Sequence, residues 1–534
     1  PDCICGWNSS YFDFPYIIGR MRKLNIPMRN LSPFGNVYAS GNGRVIITGY
    51  VPMDQLILYK NYTYITLPSY SLDSVAKHEK VGEKTPYEGN LNTLYNDNID
   101  KFIEYSLNDT FLIKGIEDKK QHISVQDELR RITTNSQAGA STTLGQAEGL
   151  FATSMKKQGL IARNKNEYSA KEKLPGAYVF DAKGGLYEGL LCDFDFRSLY
   201  PSIINTWNLG PDTFVAFVVN ENDMFNLIYH RELLKDKKIE IIRDPIHNNK
   251  SEFLTLQELE KLIQDKNANL NISGAIFNGR DLNQSIFYTV IDFLFEGRKT
   301  YKKKMLEAKE ANDTLNENIY NGKQLAYKIL ANSLYGALAN EHFRFYNNNL
   351  AKSITLTGQE LLKYCAVHCD HFMNVSGKLD SFSMDKKFMD KVKSLTYVLY
   401  GDTDSMFVYL TDYLKNLKVN HKDKSKTKIE INKIQSFIND IAIEDFLNIR
   451  NIEKKDSIIY LKNEFLFSKY YTLNGKKHYA AKVISQEGKD IKYTIIKGLE
   501  IKRSEIPSRS QKLLTDILDV ILEDDIKKSD IKPK

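Results

Sequence analysis

Apolar positions along this chain switch between two periods, one of strand length and one of helical spacing. Residues 1 to about 115 mix strand-like runs such as Gly43-Arg-Val-Ile-Ile-Thr48 with helical ones such as Asn98-Ile-Asp-Lys-Phe-Ile-Glu-Tyr105, an α/β pattern. From about 116 to 170 the period is helical and polar, interrupted by Ser, Thr and Gly near 134–145. Residues 186–196 read as a buried strand, and Pro201 opens a helix in the first turn, where a missing N–H is harmless. Two long helical patterns, 284–312 and 319–340, flank the polar linker Ala311–Asn316 and predict an antiparallel helix pair. Leu395–Tyr400 and Met406–Leu410 predict a hairpin whose tip, Gly401-Asp-Thr-Asp-Ser405, carries two carboxylates. A second hairpin is predicted to turn at Asn474-Gly475, and Lys422–Lys428 to be an exposed loop. The chain ends in a helical segment and a charged tail, with no internal repeat.

Composition narrows the class. A length of 534 residues exceeds one ordinary core and suggests about two to four domains. With 42% hydrophobic and 26% charged residues the chain is globular, not disordered. The net charge of +7 matters only where it clusters, as at Lys302-Lys-Lys304, where it can face a polyanion. Five cysteines at this length form no secreted disulfide framework, which points to a reducing compartment, the cytoplasm. Cys365, His368 and Cys369 follow a helical pattern with no second ligand pair, so they read as helix packing, not as a zinc site. No apolar run reaches membrane-spanning length. The chain opens on Pro1 without an initiator Met and reads as cut or processed there.

Chemistry concentrates in three segments: Asp193-Phe-Asp-Phe-Arg-Ser-Leu-Tyr-Pro-Ser202, Lys328-Ile-Leu-Ala-Asn-Ser-Leu-Tyr-Gly336 and Tyr400-Gly-Asp-Thr-Asp-Ser405. Asp195 and Asp404, each at the end of an apolar strand, are the natural bridging ligands for two Mg²⁺ ions, with Mn²⁺ as a substitute. The carbonyl of Phe196 offers a further oxygen, and Asp402 ranks third because strand alternation can aim it elsewhere. Arg298 and Lys302, at i and i+4, share one helix face, and Lys328, Asn332 and Tyr335 share another on the partner helix. Three cations on facing helices make a clamp for a triphosphate. The order carboxylate, lysine helix, carboxylate is what phosphoryl-type transfer on a nucleotide needs.

These segments resemble motifs A, B and C of family B DNA polymerases, and are most similar to those of the replicative enzymes of large tailed phages. The resemblance implies a right-hand polymerase of α/β and α+β domains, with Asp195 and Asp404 in the palm as catalytic carboxylates and Lys328 as a catalytic lysine. Arg298, Lys302, Lys328 and Asn332 would bind nucleotide from the fingers, with Ser198, Leu199, Tyr200 and Tyr335 around the nascent pair and Tyr200 as the sugar gate. Lys476-Lys-His-Tyr479 resembles the Lys-Lys-Arg-Tyr primer element, so Lys476, Lys477 and Tyr479 are expected to touch DNA, while His478 replaces the usual Arg. Glu464 in Lys462-Asn-Glu-Phe465 resembles a palm glutamate near the metals. Gly176, in Pro175-Gly-Ala-Tyr178, resembles a small-residue turn along the template, and Gly336 is expected beside DNA as well.

The first ~115 residues resemble part of an RNase H-like 3′–5′ exonuclease domain, with Asn8 and Asp13 in its second motif and Tyr105 and Asp109 in its third. Its first motif, Asp-x-Glu, has no counterpart, so exonuclease activity is expected to be incomplete, and Asp13 and Asp109 to repel each other as unpaired carboxylates. The expected layout is partial exonuclease 1–115, connection 116–185, palm 186–285 and 341–505, fingers 286–340, and the start of a thumb 506–534. Expected partners are primer-template DNA and dNTPs, with a sliding clamp or a complementary polymerase fragment as further candidates. The competing reading is a non-catalytic or split polymerase subunit that binds DNA and needs a second chain. A reverse transcriptase is disfavoured, because Asp402-Thr-Asp404 stands where such enzymes carry an Asp-Asp pair.

Overall fold

The computed structural model describes residues 3–39, 45–63, 67, 69–162, 164, 174–244, 248–376, 391–502 and 506–523. The chain divides into two units, one of Pro1–Gly149 with Phe295–Leu330, the other of Leu150–Leu294 with Ala331–Lys534. The charged tail after 523 lies outside the described residues, as do the first two residues of the predicted 43–48 strand.

In the first unit β1 (Cys3–Gly6) leads to α1 (Asp13–Lys23), β2 (Val37–Ala39), β3 (Val45–Ile47), β4 (Val51–Asp54) and α2 (Gln55–Tyr62). The helices α3 (Leu72–Glu79), α4 (Leu91–Asp97), α5 (Ile99–Lys120), α6 (His122–Ile132) and α7 (Gln137–Ala140) follow. β1 pairs parallel with β4, and β2 antiparallel with β3. Asp54 ends β4 and caps α2, accepting the Leu56 N–H at 3.1 Å and the N–H groups of Asn8 and Ser10 at 3.0 Å each. The core gathers Tyr59, Val75, Ala76, Leu112 and Ile116, all buried, so the apolar stripe of α5 faces α2 and α3 only in its C-terminal half.

The helix α8 (Thr143–Lys157) crosses from the first unit to the second. The second unit opens with β5 (Gly185–Phe196) and α9 (Leu199–Thr206). A five-stranded sheet follows, ordered β8 (Asn248–Leu254), β7 (Ile239–Asp244), β6 (Phe214–Val218), β10 (Ala275–Phe277), β9 (Asn269–Leu270). With α10 (Glu221–Tyr229) and α11 (Leu256–Asp265) it closes a core of its own around Met224, Leu227, Ile241 and Leu259. The capping box of Thr255 and Glu258 starts α11. The long pair α12 (Ile286–Glu310) and α13 (Thr314–Leu338) matches the predicted helix pair, with a linker shorter than expected, 311–313.

α14 (Asn348–Asn374) carries Cys365, His368 and Cys369 as buried packing residues, as the helical pattern predicts. The main sheet runs β11 (Val398–Asp402), β12 (Ser405–Tyr409), β5, β13 (Leu461–Thr472), β14 (Tyr479–Gln486), β15 (Lys489–Lys497), antiparallel throughout. Two sequence expectations differ from what forms. Lys424–Phe437 is a helix, not a loop, because Asp423 accepts the Lys426 N–H at 3.1 Å and supplies the cap that a lysine run alone does not suggest. The second hairpin has a broad loop, 473–478, instead of a two-residue turn at Asn474-Gly475, because Asn474 turns its Oδ1 to accept the Gly184 N–H at 2.9 Å. The last helix, Ser508–Leu522, packs Leu518 and Leu522 against Ala480 and Leu499. Among the described residues no helix is long and apolar enough to cross a membrane.

Candidate active site

Asp195 sits at the end of the central strand because alternation along β5 sends Cys192, Phe194 and Phe196 to one face and Asp193 and Asp195 to the other. Its cross-strand partner on β12 is Ser405, and on β13 it is Lys462. The hairpin β11–β12 turns through only Thr403 and Asp404. The Phe196 N–H donates to the Asp404 carbonyl at 2.8 Å, which ties the turn to the end of β5. The two short acidic segments, far apart in sequence, thus meet on neighbouring strands.

Beneath this edge lies an aromatic floor. Tyr400 stacks on Phe407 at 5.5 Å, and Tyr479 and Tyr470 close on Phe407 at 5.5 and 5.6 Å. A low-dielectric floor penalises charge, and the carboxylates respond. Burial, then the charges of Asp404 and Glu464, push the Asp195 carboxyl up to about 8. Burial, then Asp402, push Asp404 up to about 6. Asp193, deeper on the same face, is raised well above the usual carboxylate range by burial and by Asp195, and its Oδ1 has no hydrogen-bond partner. Lys462 and Lys497 oppose this charge only in part. Buried carboxyls that resist ionisation on their own suit divalent cations, which replace the proton and take hard oxygen ligands. Among the described residues no three His, Cys, Asp or Glu side chains close on one metal-ligating point. An ion that keeps waters and takes oxygens from a substrate needs only one or two carboxylates from the protein, a demand that Asp195 and Asp404 could meet.

Glu464 is the extra residue of a β-bulge, since Asn463 faces Phe194 and Phe465 faces Asp193. Lys477 takes φ +65°, donates its N–H to the Tyr400 hydroxyl at 2.9 Å and places Nζ 3.1 Å from Asp402 Oδ1. Lys476 reaches toward Asp181 at 4.0 Å. Tyr479 is buried, its ring part of the floor. Ser198 takes φ +49° and lets the chain turn from β5 into α9, whose Leu199 is buried. Tyr200 then meets Tyr335 with ring centroids 4.5 Å apart, joining two of the predicted segments. Gly336 and Gly176 face open space where a Cβ would stand, so neither is required by packing within the protein.

In the first unit Arg298 and Lys302 lie one turn apart on α12, and Lys328 lies on α13. A Cβ on Gly297 would stand 2.1 Å from the Tyr327 ring, so the two helices are in close contact just before Arg298 and Lys328. Asn332 continues α13 in the second unit. Also in the first unit, Lys84 Nζ binds Asp109 Oδ2 at 2.7 Å and the Tyr105 hydroxyl at 2.9 Å. Asp109 is thus paired, not repelled as the sequence suggested; no pattern marked Lys84. Asp13 is instead raised by burial and by Asp54, and Asn8 is held by Asp54 at φ +61°.

A family model for DNA polymerase family B matches residues 141–533, and one for the family's exonuclease domain matches residues 1–75. The chain belongs to DNA polymerase family B. This family B chain is 26% identical over 580 residues to the DNA-directed DNA polymerase of Enterobacteria phage T4, covering 98% of the chain and 61% of that relative. It is 25% identical to the corresponding enzyme of Escherichia phage RB69, covering 98% of the chain and 60% of that protein. The DNA polymerase delta catalytic subunit of Glycine max is 26% identical over 76% of the chain and 34% of its own length. The chain spans about three-fifths of the phage relatives it matches.

Sequence reasoning missed Asp193, Lys462, Lys497 and Lys84, along with Gly358, Gln359 and Lys363 on α14. Asp193 alone left a signal, since it precedes Asp195 by two positions on a strand.

Proposed function

We propose that this chain carries the core of a DNA-templated DNA polymerase that adds dNTPs to a primer 3′ end. The observation that supports it is that Asp404, in the turn of the β11–β12 hairpin, is tied to the end of the strand that carries Asp195, and that their charge is only partly compensated. Two Mg²⁺ ions, or Mn²⁺, held by Asp195, Asp404 and the Phe196 carbonyl would activate the 3′-hydroxyl and stabilise the departing pyrophosphate. Glu464 and Asp402 add negative charge at the rim of that site. Arg298, Lys302, Lys328 and Asn332 bind the triphosphate, Arg298 by paired N–H donors and the lysines as point charges. Tyr200 and Tyr335, already in contact, form the surface on which the nascent pair rests, with the Tyr200 ring in the space of a ribose 2′-hydroxyl. Ser198 and Leu199 set the turn that aims Tyr200. Lys476 and Lys477 hold the primer backbone, Tyr479 supports them from the floor, and Gly176 and Gly336 leave room for template. In the first unit, Asn8, Asp13, Tyr105 and Asp109 belong to a 3′–5′ exonuclease site.

The test is primer extension by the chain beside Asp195→Asn and Asp404→Asn. Each variant should lose about 10²–10³-fold or more in rate, with primer-template affinity nearly unchanged. Extension by either variant near the parent rate would refute the assignment, and no extension by the parent would favour a subunit that needs a second chain.

A further inference from the structure

We infer that Gln359 and Lys363, one turn apart on α14, are positioning residues for the catalytic hairpin, acting through the strap Gly176–Phe180. The inference rests on the polymerase reading above, because it concerns where Asp404 is held.

The hairpin tip has bonds of its own, with the Asp404 N–H donating to the Asp402 carbonyl at 2.6 Å, and β5 holds one side of it through the Phe196 N–H. Its turn is Thr403-Asp404, which lacks the Asn-Gly chemistry of stable two-residue turns, and Thr403 sits at φ +60°, a region that β-branched residues avoid. The strap adds bonds on the other side. The Tyr178 carbonyl accepts the Thr403 N–H at 3.0 Å, Val179 forms an antiparallel bridge with Asp402, and the Phe180 N–H donates to the Gly401 carbonyl at 2.9 Å. Phe180 lies so close over Gly401 that a Cβ there would come within 3.2 Å of its ring. That contact explains the glycine before Asp402.

The strap has no helix or strand of its own, so its place depends on what it touches. From α14, Gln359 Nε2 donates to the Gly176 carbonyl at 2.6 Å. Lys363 Nζ stands 4.0 Å from the centroid of the Tyr178 ring, and Tyr178 meets Phe180 edge-on at 5.4 Å. Lys363 is half-buried, and desolvation lowers its pKa. An apolar side chain of similar length would fill the place without that penalty, and what favours the ammonium there is the charge of Glu360 and the face of the Tyr178 ring. Contacts therefore run without a gap from α14 to Tyr178 and Phe180, and from there to residues 401–404.

The test compares Lys363→Met, Gln359→Met and Lys363→Arg with the parent chain. Measurements are kcat and KM for dNTP, Mn²⁺ affinity by electron paramagnetic resonance without DNA, the salt dependence of DNA binding, and Tm. Lys363→Met should lower kcat about 10-fold and weaken Mn²⁺ binding several-fold, with KM and Tm little changed. Gln359→Met should act in the same direction, and Lys363→Arg should restore both quantities, because a guanidinium also stacks on an aromatic face. Parental kcat and Mn²⁺ affinity in both Met variants would overturn the inference. So would a salt slope flatter by about one unit in Lys363→Met, which would make Lys363 a phosphate contact instead. If the parent chain extends no primer, the polymerase reading falls, while Mn²⁺ affinity and hydrogen exchange at the Thr403 amide still decide whether α14 sets the tip.

Discussion

Lys477 and Asp402 form an ion pair, Nζ to Oδ1 at 3.1 Å, and the Lys477 N–H is held at the same time by the Tyr400 hydroxyl. Asp402 is thereby engaged with the loop 473–478, while Asp404, in the turn itself, is the carboxylate whose carbonyl is tied to β5. The two aspartates of the hairpin should therefore differ in weight. Asp402→Asn is expected to slow single-turnover incorporation by less than about 10-fold, against about 10²–10³-fold for Asp404→Asn. Equal losses would mean that both ligate metal.

Tyr200 is hemmed from two sides, by Tyr335 and by α14. A Cβ on Gly358 would stand 3.1 Å from its ring, closer than most real contacts. Tyr200→Ala should relax the preference for dNTPs over ribonucleotides by about 10 to 100-fold, the scale of one removed steric clash. Gly358→Ala should push the ring toward Tyr335 and lower dNTP incorporation without admitting ribonucleotides. Competitive incorporation of the two nucleotide types measures both.

The raised carboxyl of Asp195 makes stability depend on pH. Its folded pKa, about 8, lies above the usual carboxylate value, so the folded state holds the proton longer than the unfolded chain does. Metal-free protein should lose stability as pH rises from about 4 to about 8, because the folded site must then accept a charge that the unfolded chain carries freely. Asp195→Asn should raise Tm more at pH 8 than at pH 5. Mg²⁺ should stabilise the parent more at pH 8 than at pH 5, since it binds the ionised form. Calorimetry at the two pH values, with and without Mg²⁺, checks both expectations.

Arg450 is fully buried and binds Glu360 Oε2 at 2.7 Å, the Tyr229 hydroxyl at 2.8 Å and the Phe446 carbonyl at 2.6 Å. Removing one partner of such a pair leaves the other charge in the core. Arg450→Met should destabilise the second unit by about 3–5 kcal/mol, and the double change with Glu360→Leu should recover much of that loss. Urea unfolding followed by the fluorescence of Trp207, in a Trp7→Phe background, reports on this unit.

Strands and helices that carry strong periodicity were legible in the chain itself: the buried strand ending at Phe196, the helix pair around residue 312 and the hairpin at Asp402-Thr-Asp404 all form. The candidate carboxylates were legible for the same reason, since an Asp at the end of an apolar strand breaks a local pattern. What the sequence could not reveal depends on contacts between distant segments. The bulge at Glu464, the cap that turns a lysine run into a helix and the partners of Asp109 and Asp402 are set by where other strands and loops dock. Local propensity reports the energy of a residue with its neighbours in the chain. The raised pKa of Asp195, the strap held by Gln359 and Lys363, and the close approach at Gly358 arise from burial and from neighbours that are remote in sequence, and only the tertiary structure brings those together.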